Sequence, residues 1–382
     1  MTTHSIGPNP QQSAPSETLL NPSFKREPPP ERSFYQTPRP APPLSDLTSK
    51  LPGWARLVIW ERVLMALAVG LALVEERRIA AKRIRDYAAE TARQVQWGSI
   101  HLYADPKMFE TPEHTGESKR PCLYSDELIH LGQVLRQLER NAYRPLEGLI
   151  ASIAIMYGLS IKTPSYVTLW RRAGKLPLPP LPKLKGKRVI TVDSTGVKVI
   201  GLGEWRANKH CEQIERTYLK FHAIRDVKTG MIIEWALTSS SGEGSNDGQA
   251  GTWMVQRLVQ EGLEIDYAAA DMAYDSGSFR SSVWSGGGHA IVPPHHNAIL
   301  TPEAIGSVKE RNQQVMACST EEGRAEWKVQ SGYHMRSLAE TTFSRHHARF
   351  GDRISSHLPE RQRLDMAYRI WLLNDNALRS IA

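Results

Sequence analysis

RVITVDSTGVKVIGL, residues 188–202, and TYLKFHAIRDVKTGMIIEWALT, residues 217–238, decide the fold. The first opens on Val189, Ile190, Thr191 and Val192, β-branched residues that read as a buried central strand, and then meets Asp193 and the turn-forming Ser194-Thr195-Gly196. The second breaks at Thr229-Gly230 into two β-rich halves, the pattern of an antiparallel hairpin. Downstream come a helix over residues 247–260, the strand IDYAAAD at 265–271, a Gly286-Gly287-Gly288 turn, the short strand HAIVP at 289–293 and a helical C-terminal segment from 333. Strand, hairpin, helix, strand, strand, helix makes a layered α/β domain with a mixed sheet over residues 187–382.

Upstream the pattern is helical. Residues 177–182 hold four prolines and are followed by Lys183, Lys185, Lys187 and Arg188, so 177–186 reads as a stiff basic linker. Before it, apolar positions behind Ser125-Asp126 mark one helix. LEGLIASIAIMY at 146–157, entered at Pro145 and closed by Gly158, marks a second. A third starts at the N-cap Ser165, stops at Gly174 and carries Tyr166, Trp170, Arg171 and Arg172. Three compact helices ending in a basic one resemble a helix-turn-helix unit, which makes residues 98–176 a candidate DNA-binding region and Arg171 and Arg172 candidate phosphate contacts. Residues 51–97 are expected to include one long helix, a solvated face by default and a DNA or dimer arm in the alternative. Residues 1–50, with 11 of the 25 prolines, read as a disordered arm.

Composition bounds the function. With 48 Lys and Arg against 40 Asp and Glu, the 382-residue chain carries a formal net charge of +8, which suits a polyanion. Cys122, Cys211 and Cys318 stand far apart with no CxxC or Cys/His ladder, so the spacing writes down neither a disulfide framework nor a zinc knuckle. The first residues lack a signal-peptide pattern, and the apolar stretch at 57–74 is interrupted by Glu61 and Arg62, so a cytoplasmic chain without a membrane span is expected.

The chemistry rests on acids that end apolar runs. Asp193 and Asp271 each follow a buried strand, where open α/β sheets place their ligands. Were residues 333–347 one helix, Tyr333, Arg336, Glu340 and His347 would share one face. Each feature alone has a plain account, as a strand-end cap or a solvated ion pair. Together, three hard oxygen donors with no Cys or His among them suit Mg²⁺ or Mn²⁺ and phosphodiester chemistry with two ions. Lys220 and His222, two apart on the second strand, are expected at the same sheet edge as Asp193.

The motifs VDSTGVKV (192–199), GEWRANKH (203–210), RTYLKFHAIRDVKTGMI (216–232), AADMAYDS (269–276) and YHMRSLAETTFSR (333–345) resemble those of bacterial DDE transposases of the insertion sequence 5 family, insertion sequence 903-like group. GSIHLYADP (98–106), YSDELI, RPLEGLIASI and TPSYVTLWRR are similar to that family's helical region. The resemblance implies an RNase H-like catalytic domain, catalysis by Asp193, Asp271 and Glu340 with two Mg²⁺ or Mn²⁺ ions, and phosphate contacts by Tyr333 and Arg336. Its implied partners are double-stranded DNA, as terminal inverted repeats and target, and a second copy in a homodimeric synaptic complex. The family's usual Lys seven residues after the catalytic Glu is here His347, and its usual Arg-Lys after IVPP is His295-His296. Both swaps remove fixed positive charge. Two rivals follow: a catalytically inactive, domesticated DNA-binding protein, and a nuclease on the same fold.

Overall fold

In the computed structural model, residues 102–113, 122–199, 218–240 and 245–381 are described, with a few positions between 91 and 99. The Pro-rich arm, most of the 51–97 segment, GEWRANKH and Cys211 lie outside the described residues. No helix among the described residues is long and apolar enough to cross a membrane.

Three helices come first: α1 (Asp126–Leu138), α2 (Tyr143–Met156) and α3 (Tyr166–Ala173). Ser125 and Ser165 cap α1 and α3 as expected, their hydroxyls accepting from the backbone N–H of Leu128 at 3.0 Å and Thr168 at 3.3 Å. Each such cap contributes about 1 kcal/mol. The sheet follows as β1 (Lys187–Val199), β2 (Tyr218–Asp226) and β3 (Ile232–Ser239), then helix α4 (Asp247–Gln260), β4 (Glu264–Ala270), α5 (Gly277–Ser285) and β5 (His289–Ile291). Helices α6 (Gly306–Ala317), α7 (Glu321–Gln330) and α8 (Ser337–Phe350), the short strand β6 (Arg353–Ile354) and helix α9 (Pro359–Ile381) complete the chain.

The sheet order is β3-β2-β1-β4-β5, with β6 pairing on β1. β1–β2 and β2–β3 are antiparallel, and β1–β4, β4–β5 and β1–β6 are parallel, so the mixed sheet expected from the sequence is present. Ser194-Thr195-Gly196 is not a turn. β1 runs straight through it to Val199 because β2 pairs with it as far as Lys198↔Tyr218, and Gly196 has no positive φ to bend the chain.

On the opposite edge of β1 the pairing is broken. β4 leaves after Val192↔Ala270 and β6 joins only at Lys198↔Arg353, which leaves residues 193–197 open along that edge. Helix α8 lies across this opening.

Period-two alternation sorts the faces. Ile190, Val192, Ala268 and Ala270 pack with Met254, Val255, Leu258, Phe279 and Val283 of α4 and α5. Val197, Phe221, Ala223 and Ile354 pack with Phe343, Met366, Ala367 and Ile370 of α8 and α9. Close helix packing on the first face depends on Gly251: a Cβ there would stand 2.6 Å from Tyr274 Cε1. Gly251→Ala is therefore expected to cost about 1 to 3 kcal/mol, read as a fall of several degrees in the unfolding midpoint; an unchanged midpoint would show that Tyr274 can yield.

The helical region shares its core with the C-terminus. Leu128, Leu131, Leu135, Leu146, Ile150 and Leu169 form one cluster with Phe350, Leu364, Tyr368 and Leu372. The Pro-rich stretch at 177–186 thus marks a change of element type, while the packed interior continues across it.

Candidate active site

Parallel register brings the two aspartates together. Val192↔Ala270 is the last pair between β1 and β4, so Asp193 and Asp271 are the next residues on neighbouring strands about 4.8 Å apart, on the same face. Each carboxylate is tied locally. Asp193 Oδ1 accepts from Ser194 N at 2.8 Å, and Asp271 Oδ1 accepts from Ala273 N at 2.9 Å, capping the 3₁₀ turn Met272–Tyr274. Four residues on, Asp275 fixes the loop: it accepts from Arg280 Nε at 2.9 Å, Arg311 Nε at 3.1 Å and His295 N at 3.0 Å.

Residues 333–347 are not one helix. Gly332, at φ 69°, leads into a 3₁₀ turn, Tyr333–Arg336, and α8 begins at Ser337. The tighter turn aims Arg336 back across the sheet edge, where its Nη1 donates to Asp193 Oδ2 at 3.1 Å while Nη2 donates to Glu340 Oε1. One guanidinium therefore joins the first acid to the third. Tyr333 is half-buried with its ring 5.8 Å from that of Trp327, and its phenol faces Arg336.

The charges are unequal. Burial pushes the Asp193 carboxyl up to about 6, against the pull of Ser194 N–H and Arg336, with Asp271 and Glu340 adding to the rise. Burial raises Asp271 as well, with Ala273 N–H and Arg336 opposing. Burial works against the charge of Arg336, but Tyr333, Asp193 and Glu340 outweigh it and hold the guanidinium above its usual range.

His347 lies seven residues past Glu340, and its Nε2 stands 3.2 Å from Thr195 Oγ1, two residues along β1 from Asp193. Burial, the first cause, lowers its pKa although Asp352 pulls the other way. The uncharged ring is thus favoured, and the position supplies no fixed positive charge.

Lys220 and His222 stand at the level of Asp193, as expected, and Lys220 helps hold down the Asp271 carboxyl, but their strand positions alternate to the other face. Register pairs His222 with Ser194 and Lys220 with Gly196, so both occupy the α4 face, opposite to Asp193. They converge on Asp247 at the start of α4. Lys220 Nζ is 2.9 Å from Oδ2, His222 Nδ1 is 3.4 Å from Oδ1, and Ser194 Oγ donates to Oδ1 at 2.7 Å. His222 is 0% exposed, bonds Thr238 through Nε2, and burial takes its pKa down to about 4, so it is a buried neutral support with no surface to offer a phosphate. Asp247 was not among the residues singled out from the sequence; a lone acid in a first helical turn reads as an ordinary dipole partner.

Arg171 is exposed on α3, whereas Arg172 is bound to Asp126 and to the carbonyl of Tyr124, tying α3 to α1. Arg171 is free to meet a partner and Arg172 is committed to the fold. The connection between α2 and α3, residues 157–165, exceeds the three or four residues of a tight helix-turn-helix.

Asp193, Asp271 and Glu340 offer only hard oxygen donors, two of them destabilised as anions by burial, and that chemistry suits a divalent cation. Among the described residues no three His, Cys, Asp or Glu side chains are gathered closely enough to cage one. Arg336 holds the place between Asp193 and Glu340.

A family profile described as "Transposase DDE domain" matches residues 184–374, and a second of the same description matches residues 95–202. Among solved structures, the chain is similar to the Drosophila P element transposase strand transfer complex at 11% identity, covering 74% of this chain and 71% of that one, with a TM-score of 0.28.

Proposed function

The chain belongs to the transposase DDE-domain family, and from that premise we propose that it binds the terminal inverted repeats of an insertion sequence, cleaves their 3′ ends and joins them to target DNA. The sheet order, with two antiparallel strands outside β1 and two parallel ones on its other side, supports an RNase H-like catalytic domain. The observation that carries the reading is the bridge from Arg336 to Asp193 and Glu340, with Asp271 next to Asp193 by register.

Asp193, Asp271 and Glu340 are the residues that would hold two Mg²⁺ or Mn²⁺ ions, which when bound supply a lowered pKa for the attacking oxygen and charge neutralisation for the leaving one. The chain's own residues do the rest. Arg336 presents a planar fork that matches two phosphate oxygens, and it would be freed for them if ions took over its two carboxylates. Tyr333 adds one hydroxyl beside it. Asp247, through Ser194 and Lys220, stiffens the backbone on which Asp193 stands. Two ends must be held at once, so the acting form is read as a homodimer on DNA.

The test is product analysis: duplexes bearing the inverted repeats that flank the reading frame, incubated with the chain and Mg²⁺ and resolved on a denaturing gel. Nicks at the repeat ends followed by joined products are expected. Nicks without joined products would favour the nuclease, and binding without nicks the inactive DNA-binding protein.

A His at 347, where burial disfavours the charged ring, is what favours this last alternative. His347→Lys restores a fixed charge beside Thr195 and is expected to match or raise cleavage, up to about tenfold, and to steepen the salt dependence of DNA binding by about one unit of slope. A loss greater than tenfold would assign the imidazole a task of its own.

A further inference from the structure

At the other end of α8 from Glu340, a cleft of about 310 Å³ opens between α1 and the segment joining α8 to β6. Its walls carry Arg136, Arg140, Arg353 and Arg369, with Phe350 and Asp352. The acids near it are engaged. Asp352 pairs with Lys198 at 2.6 Å, and Asp365 is bound by Arg136 and by Gln137 Nε2 at 3.1 Å. Four guanidinium groups thus face two carboxylates.

Two of the donors have nowhere to go. Arg369 is 5% exposed; its Nε donates to Gln137 Oε1 at 2.9 Å and its Nη2 to the carbonyl of Arg353 at 2.8 Å, but its Nη1 is buried without a partner. Arg136, also 5% exposed, is anchored through both terminal nitrogens to Asp365, Ser355 and Ser356, and its Nε is likewise unpartnered. Leaving a buried donor unmet costs more than a bond gains, so such groups are nearly always matched by something polar. Arg140 adds to the arrangement. It sits at φ 53°, in the left-handed region that L residues rarely adopt, and from there it reaches the carbonyls of Ala348 and Arg349, each at 2.9 Å from Nη2. Those bonds engage two of the last carbonyls of α8 and so weaken the negative end that it turns toward the cleft.

We propose that this arginine-walled cleft seats a backbone phosphate of the DNA duplex. The proposal rests on the DNA-binding part of the function given above and adds a second contact point to it. A cleft lined by guanidinium donors matches a group that only accepts, and the guanidinium fork matches two phosphate oxygens. A single water would answer one orphaned N–H, but it would leave the excess positive charge. Its place favours a polymer: Glu340 and Phe350 are ten residues apart on one helix, about 15 Å, which is less than half a turn of duplex DNA. One strand of duplex can thus span both points. Arg136 and Arg140 come from the α1 end of the helical region, Arg353 from β6 and Arg369 from α9, so a phosphate there would be shared by three parts of the chain. Burial lowers the Arg369 pKa to about 10 against the pull of Asp365, and the nearby Arg136 and Arg140 add to the fall.

The test uses the full chain and a fluorescent 30-base-pair duplex in anisotropy titrations between 50 and 300 mM KCl. Arg140→Gln with Arg353→Gln should weaken binding about tenfold at 100 mM KCl and lower the slope of log affinity against log salt by one to two. Arg353→Glu alone, at a side chain that is half exposed and reaches only Asp352 at 3.8 Å, should fold as the wild type and bind at least as weakly. Unchanged affinity and slope in both variants, with wild-type binding intact, would overturn this site and leave the functional reading standing. Inorganic phosphate that raises the wild-type unfolding midpoint but not the variants', with duplex affinity unchanged, would also overturn it, by giving the cleft to a small anion. A wild-type chain that binds no duplex would overturn the functional reading and this site with it.

Discussion

Asp193→Asn is expected to abolish metal-dependent cleavage, by 1,000-fold or more, while making the metal-free protein more stable at pH 8. The two effects have one cause. Burial holds the Asp193 carboxyl near 6 against an ordinary value of 3.8. Between those values the folded chain keeps a proton that the unfolded chain has lost, so stability falls as pH rises from about 4 to about 6 and stays low above it. At pH 8 the buried anion therefore costs on the order of 2 kcal/mol, which an uncharged amide of the same shape removes. The variant's unfolding midpoint should stand roughly 4 °C or more above the wild type's at pH 8, and the difference should vanish near pH 4. Added Mn²⁺ should raise the wild-type midpoint and leave the variant's nearly unmoved. Equal midpoints at pH 8 would show that Asp193 is not strained by burial, and retained cleavage would remove it from the catalytic set.

That strain was partly legible in the sequence. An acid straight after Val189-Ile190-Thr191-Val192 is an acid at the edge of a core, and IDYAAAD repeats the device in a second strand. Parallel pairing then does what the eye expects, placing both at one level. The same short-range logic failed where alternation decided the outcome. Lys220 and His222 are one step out of phase with the register that pairs Asp193 with Ala223, and a single residue of phase sends a side chain to the opposite face. Ser194-Thr195-Gly196 has the composition of a turn, yet pairing with β2 keeps it extended. Asp247 leaves no local signal, because its partners Lys220 and Ser194 lie 27 and 53 residues away. The shared core of α1 and α9 is hidden for the same reason: Arg136 meets Asp365 across 229 residues.

Removing Arg336 should separate its two tasks. In this structure the guanidinium neutralises Asp193 and Glu340 at once, so Arg336→Ala leaves those two carboxylates without their shared cation. The Glu340 contact is solvent-exposed and worth only about 0.5 kcal/mol, but the Asp193 contact is mostly buried, and losing it drives that carboxyl further up. The metal-free variant should therefore unfold several degrees lower at pH 8 and recover most of that loss at pH 5, where Asp193 takes up its proton. Divalent ions should then stabilise it more than they stabilise the wild type, because no internal cation competes for the carboxylates. Cleavage should nevertheless fall by at least 100-fold, since the fork that grips the phosphate has gone. Arg336→Lys should recover most of the metal-free stability and little of the cleavage, a point charge serving the carboxylates but not the bidentate grip. Metal-induced shifts equal in wild type and Arg336→Ala would show that Arg336 does not stand where the ions bind, and the bridge between Asp193 and Glu340 would then be a structural tie alone.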